Sequence, residues 1–336
     1  MRQKVIIIWL IVALLLLAVA NLIWGSLSIP ANDVVRILLG KDDGLHPGWT
    51  FIIRESRVPQ MLTALLCGMS LSTCGLMLQT LFRNPLAGPS ILGIDAGANL
   101  GVALVMLLLG GMVTLGSLSV GGYLLVIVAA MLGALCIMAL LLLLSAFLRN
   151  QVMLLITGVI ISYVTGSVIS LLNYSATEEG VHNFIVWGMG NFSGVSLDRL
   201  PLFCILIALG LIGALMLVKP LDAILLGERY ATNLGVNVHR TRNQLLLCTG
   251  LLTATTTAFC GPISFLGLAV PHIACMTLRT SQHRIMLPGT MLMGACLTLM
   301  CNLICTLPKS GSIIPVNVVT PLIGAPVILY VILKRK

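Results

Sequence analysis

Residues 80–98 read TLFRNPLAGPSILGIDAGA, a tightly built polar turn between two long apolar runs. Arg83, Asn84, Pro85 and Pro89 occupy the turn, and Gly93, Gly97 and Gly101 follow at four-residue spacing. A plain apolar helix hairpin needs no such detail. Small residues at this spacing let helix backbones approach closely within a bilayer. The stretch points to a packed polytopic bundle whose turns are shaped for a partner.

The rest of the chain agrees. Hydrophobic residues make up 58% of the 336, and charged residues 9%, against about a quarter in a soluble domain. Mean hydropathy is +1.09. Long apolar runs without alternation argue for helices rather than a barrel. At roughly 20 residues per span, the pattern predicts one all-α membrane domain, residues 1–336, of about ten transmembrane helices. They are placed near 5–26, 61–81, 91–110, 121–147, 151–173, 200–218, 243–260, 263–279, 286–307 and 314–333. The first run, behind Arg2 and Lys4, resembles a signal peptide as far as Ala20. It continues through Trp24, long enough to span, and is assigned as the first helix. The ten cysteines all sit in apolar stretches without a CxxC, so they read as packing residues rather than as disulfides or metal ligands.

Charge orients the bundle. With both termini cytoplasmic, 13 of the 19 basic residues lie on the cytoplasmic side, and seven of the ten acids lie outside. The positive-inside rule favours this arrangement. The net charge of +9 thus reflects topology and does not imply a nucleic-acid partner. Asp95 is the carboxylate read within a span. An intramembrane acid is a functional candidate, but at the start of a helix it also suits the helix dipole. No chain of buried acids or histidines suggests a proton relay. Gly40-Lys41 lacks the Walker A spacing and its Ser/Thr, so ATP hydrolysis by that route is excluded.

The longest loop on the basic side is 219–242, KPLDAILLGERYATNLGVNVHRTR. Its apolar positions Leu221, Leu225, Ala231 and Leu234 predict two short helices broken at Gly227 and Gly235. One reading is an interfacial helix lying on lipid. The other is a docking element for a cytoplasmic partner, favoured by the two breaks and the Glu228–Arg229 pair.

Several motifs in order then resemble one family. Arg57-Val58-Pro59 precedes helix 2; Gln79 and Arg83-Asn84-Pro85-Leu86-Ala87 close it; Leu92-Gly93 and Gly97-Ala98 open helix 3. Leu226-Gly227, Ala231 and Leu234-Gly235-Val236 follow, then Gly261-Pro262-Ile263 with Phe265, Gly267-Leu268 and Pro271-His272, and finally Ile323-Gly324-Ala325-Pro326. Together they resemble the BtuC-like or FecCD permeases of type II ABC importers for iron-siderophores, haem and cobalamin, along the whole chain.

The resemblance implies the ten-helix BtuC-like fold in a bacterial inner membrane. It also implies pairing with a second permease, two cytoplasmic ATP-binding subunits, a docking extracytoplasmic substrate-binding protein, and no ATPase site or cofactor in this chain. It makes Leu226, Gly227, Glu228, Arg229, Ala231, Leu234 and Gly235 the ATPase-coupling residues. Arg57, with Arg54, would dock the binding protein. Asn150 and Gln151, with Arg149, would form a cytoplasmic gate. Helix 5, the short helix near Val181–Gly190, helix 8 and helix 10 would lie along a weakly polar path.

His272 could be imagined as a ligand, but a lone histidine reads as packed and hydrogen-bonded. Departures concern docking: Gln60 stands where an arginine is usual, Asn302 and Cys305 where Asp and Arg are usual, and Asn317 and Pro321 where Gly and Ala are common. Two other classes would leave different marks. A gradient-driven secondary transporter would need intramembrane ionisable residues or inverted repeats. A membrane enzyme would need a cluster of His and acid residues. Neither signature is present. Iron chelate and cobalamin both remain as cargo.

Overall fold

The computed structural model describes residues 2–25, 27–41, 47–108, 112–115, 118–148, 151–307 and 313–334. Helices dominate it. The first half runs α1 (Arg2–Ile23), α2 (Ala31–Leu38), α3 (Pro47–Phe51), a π-helical turn (Ile52–Arg57), α4 (Val58–Phe82), α5 (Ile94–Ala103), α6 (Tyr123–Phe147) and α7 (Gln151–Ser175). The second half runs α8 (Glu178–Gly188), α9 (Leu200–Met216), α10 (Val218–Leu226), α11 (Glu228–Asn233), α12 (Val238–Cys260), α13 (Leu266–Leu278), α14 (His283–Thr306) and α15 (Val316–Lys334). A short antiparallel hairpin, Met112–Leu115 against Leu118–Gly121, joins α5 to α6.

Each of the ten predicted segments carries a helix. Among the described residues, five helices are long and apolar enough to cross a bilayer unaided: α1, the run Pro47–Phe82, α6, α7 and α14. Others are shorter, including Ile94–Leu108 and Leu266–Leu278. Irregular backbone at membrane depth is tolerated only where protein groups satisfy it, and before α13 they do. Gly261 and Phe265 both take positive φ, 76° and 69°. Asn317 Oδ1 accepts from the Ser264 amide at 3.1 Å, and Asn317 Nδ2 donates to the Gly188 and Pro262 carbonyls. Asn317 thus ties the 261–265 turn to α8 and α15.

The core is built around α4, which is buried nearly all round and packs along α14, α13 and α12. Gly68 makes the α4–α14 crossing possible: a Cβ there would lie 2.3 Å from the Gly294 carbonyl oxygen. The glycine series of the opening motif does the same for α5. A Cβ on Gly97 would lie 2.5 Å from the Gly133 oxygen of α6, and one on Gly101 would lie 2.1 Å from the Ala129 oxygen. Without a hydrophobic drive between helices in lipid, such close approach is a main source of packing energy.

Candidate functional site

At the basic end, α9 passes into α10 through a 49° bend. Leu221, Ala223 and Ile224 bury one face of α10. Gly227 (φ 130°, ψ 144°) then breaks the chain in a conformation open to glycine. The next helix, α11, buries Ala231 alone. Its end is a Schellman closure: Gly235, at φ 82°, donates its amide to Thr232 O, and the Val236 amide donates to Ala231 O. The two predicted short helices are therefore present, with breaks at Gly227 and Gly235. The projection carries Leu226, Tyr230 and Leu234 at 66, 67 and 64% exposure, beside exposed Glu228 and Arg229.

The opening turn lies directly beside this projection. Arg83 closes α4 in the left-handed region (φ 47°) and donates from Nη2 to the Ile224 carbonyl at the end of α10, 3.0 Å away. Asn84 Oδ1 accepts from the Leu86 amide, an Asx turn. His272 Nε2 meets the Pro85 carbonyl at 2.8 Å, so His272 is the packed, hydrogen-bonded residue expected of a lone histidine. A cleft of about 600 Å³ opens here, lined in part by Gln79, Thr80, Arg83, His272 and His283.

A profile of the FecCD transport family matches residues 11–334. The chain belongs to the FecCD transport family.

This FecCD permease is 31% identical to the hemin transport system permease protein HmuU of Yersinia pestis, over 98% of this chain and 95% of the relative. It is 35% identical to the vitamin B12 import system permease protein BtuC of Vibrio cholerae, over 84% and 83%. A solved inward-facing structure, described as a metal-chelate type ABC transporter, superposes with a TM-score of 0.84 at 30% identity. That match covers 98% of this chain and 99% of the other.

At the opposite end the FecCD permease departs from expectation. Arg57, predicted to dock a binding protein, is 6% exposed. Its Nη1 donates to the Leu22 and Ile23 carbonyls at 2.8 Å, and its Nη2 to Leu27 O. The side chain satisfies the orphan carbonyls at the end of α1 and faces inward. In this geometry Arg57 serves as an internal clamp at the end of α1. Arg54 is exposed and donates to Ile37 O at 3.1 Å.

Gln60 is buried as well, so its departure from arginine does not alter a docking face. Its Nε2 donates to Asn302 Oδ1 at 2.9 Å, and Asn302 Nδ2 donates to Asn21 Oδ1 at 2.7 Å. Asn21 Nδ2 then donates to Leu17 O and Leu299 O. The departures at 60 and 302 are bonded to each other: a neutral amide ladder stands where the family resemblance leads one to expect charge.

Asp95 accepts from Thr257 Oγ1 at 2.7 Å, which links α5 to α12. Asn150 lies outside the described residues; Gln151 begins α7, and only its backbone is described. Among the described residues, no group of three or more His, Cys, Asp or Glu could hold a metal ion. Most of α7 is exposed. The hydroxyls of Thr157, Ser167 and Ser170 turn back onto carbonyls of their own helix.

Sequence reasoning missed three residues beside the projection. Asp222 Oδ1 accepts from the His283 amide at 2.7 Å and from His283 Nδ1 at 2.8 Å. His283 Nε2 meets Thr80 Oγ1 at 2.8 Å. Asp222 is a carboxylate set inside an otherwise apolar helix stretch, and that placement was the signal available.

Proposed function

We propose that this chain is the transmembrane subunit of an ATP-driven importer in a bacterial inner membrane. It works as a pair of identical permeases. Two cytoplasmic ATP-binding subunits grip the α10–α11 projection, and an extracytoplasmic binding protein delivers cargo at the far end. The projection is the observation that carries this reading. Exposed Tyr230 and Leu234 and the charged residues Glu228 and Arg229 sit on an element bounded by Gly227 and Gly235, with exposed Leu226 just before it. A helix resting on lipid would keep one continuous apolar stripe. This element is broken and closed back on itself, which suits a cleft in a partner.

The cargo is a metal chelate or metal-bearing macrocycle. The hemin and vitamin B12 permeases among its relatives support that class. An iron chelate, siderophore or haem, is the first reading and cobalamin the second. The path runs between paired subunits along α7, α8 and α15. The serine and threonine hydroxyls of α7 donate to their own helix, so they offer cargo few free donors, as a release pathway needs. The turn at Asn150 and Gln151 is the cytoplasmic gate. With Arg57 turned inward, Arg54 is the remaining docking arginine at the outer face.

Copurification with uptake tests the reading. The solubilised permease should bring down an ATPase, and native mass spectrometry should show two copies of each. Proteoliposomes of the complex should take up one of ferric siderophore, haem or cyanocobalamin in an ATP-dependent way. A monomer that transports on an ion gradient without an ATPase would refute it.

A further inference from the structure

The basic end contains a reciprocal capping joint. α10 is joined to two core helices, once through the Asp222 side chain in its middle and once through the Ile224 carbonyl in its last turn. α14 begins at His283 with no side-chain cap from its own N-cap residue, Gln282. Asp222, from the middle of α10, supplies that cap: its Oδ1 takes the His283 amide, and the same oxygen takes His283 Nδ1. A carboxylate at a helix N-terminus is favoured by the exposed amides and by the helix dipole. Two residues further on, in the last turn of α10, the Ile224 carbonyl is capped by the guanidinium of Arg83, which itself closes α4. A cation at a helix C-terminus is favoured for the converse reason. Each helix end in the joint is thus capped by a side chain of another helix.

The joint reaches inward. Asp222 has 40% of its side chain exposed, while His283 has 2%. With the imidazole neutral, Nδ1–H donates to Asp222, and Nε2 faces Thr80 Oγ1 as an acceptor, competing with the Leu76 carbonyl for the one hydroxyl proton. Thr80 lies on α4, whose contact with α14 is fixed by Gly68 against Gly294. From the exposed helix to the centre of the bundle there is an unbroken run of bonds: Asp222, His283, Thr80.

We propose that Asp222, His283, Thr80 and Arg83 form the joint that carries movement of the docking projection into α4 and α14. They are positioning residues: none touches cargo or nucleotide. The inference rests on the reading that α10–α11 docks the ATPase. Packed helices switch between discrete arrangements instead of deforming smoothly. A helix bonded to two neighbours at once, here at Asp222 and at Ile224, moves with them as a rigid body. A helix released from one of them absorbs the push locally, and hydrolysis runs on without transport.

The test uses the ATPase that copurifies with the wild-type chain. Asp222→Ala should retain that ATPase in the wild-type ratio and continue to hydrolyse ATP. Cargo uptake per ATP should fall about tenfold or more, the scale of one charge-assisted hydrogen bond. Asp222→Asn keeps an acceptor oxygen for the His283 amide and should restore most of the coupling. Arg83→Ala should uncouple in the same way. Unchanged uptake per ATP in Asp222→Ala would overturn the joint. So would loss of the ATPase from Asp222→Ala, because the residue would then only shape the docking face. If the wild-type chain captures no ATPase, the docking reading falls first and the joint falls with it.

Discussion

The two ends of this permease use their charged residues in opposite ways. At the basic end, Glu228 and Arg229 stand exposed beside three apolar side chains, and the structural bonds are made behind them by Arg83 and Asp222. At the far end, Arg57 carries the family motif yet is buried against the end of α1, and the polar contacts deeper in are neutral amides. A charge in a loop between spans is therefore not by itself a docking residue. Burial decides, and burial depends on which carbonyls fold against the side chain.

The sharpest way to break this comparison is to put charge into the amide ladder. Gln60→Arg places a cation in a ladder whose other side chains, Asn302 and Asn21, are neutral. It should destabilise the protein by about 3–5 kcal/mol, the scale of an uncompensated buried charge. Pairing it with Asn302→Asp should restore most of that loss. Thermal unfolding of both variants in detergent decides the matter; equal loss in single and double variants would mean that 60 and 302 are not one unit.

Arg57→Ala should cost about 3 kcal/mol, because the carbonyls of Leu22, Ile23 and Leu27 lose a charged donor. Arg57→Glu should be worse. The effect should appear as a lower Tm and yield, with binding-protein affinity per folded molecule unchanged. If affinity drops while Tm holds, the clamp assignment is wrong and Arg57 docks after all.

Gly227→Val forces a β-branched residue to φ 130°, and its Cβ would lie 3.2 Å from Arg83 Nη2. The strain is about 1–3 kcal/mol, local to the projection. ATPase capture should fall more than tenfold with the bundle still folded. Gly235→Ala has open space around the new Cβ and should lose less. Equal capture by Gly227→Val and wild type in a pull-down would defeat the docking reading.

The smallest effect belongs to Arg54. Exposed charge pairs are worth about 0.2–1 kcal/mol, so Arg54→Glu should weaken binding-protein capture several-fold at low salt. The difference should vanish at high salt. A salt-independent loss would indicate a packing role.

Much of this molecule was legible before its structure. The apolar runs set the helices, because backbone hydrogen bonds in lipid must be met within the segment. Gly97 and Gly101 announced a close helix crossing, and Gly227 and Gly235 marked two breaks that lie where expected. Such signals are local: each depends on a residue and its near neighbours along one helix or turn. The short α5 and α13 were less legible, since their irregular flanks are supported from elsewhere, as Asn317 supports the turn before α13.

What the sequence determined by itself was the class of molecule, the order of its helices and the two breaks of the 219–242 loop. The tertiary structure decided which polar groups meet. Asp222 and His283 are 61 residues apart, Thr80 and His283 are 203 apart, and Gln60 and Asn302 are 242 apart. No periodicity in one chain encodes such a pairing. It exists because close packing of α4 and α10 on α14 brings those side chains within bonding distance, and because burying a polar group without a partner costs free energy.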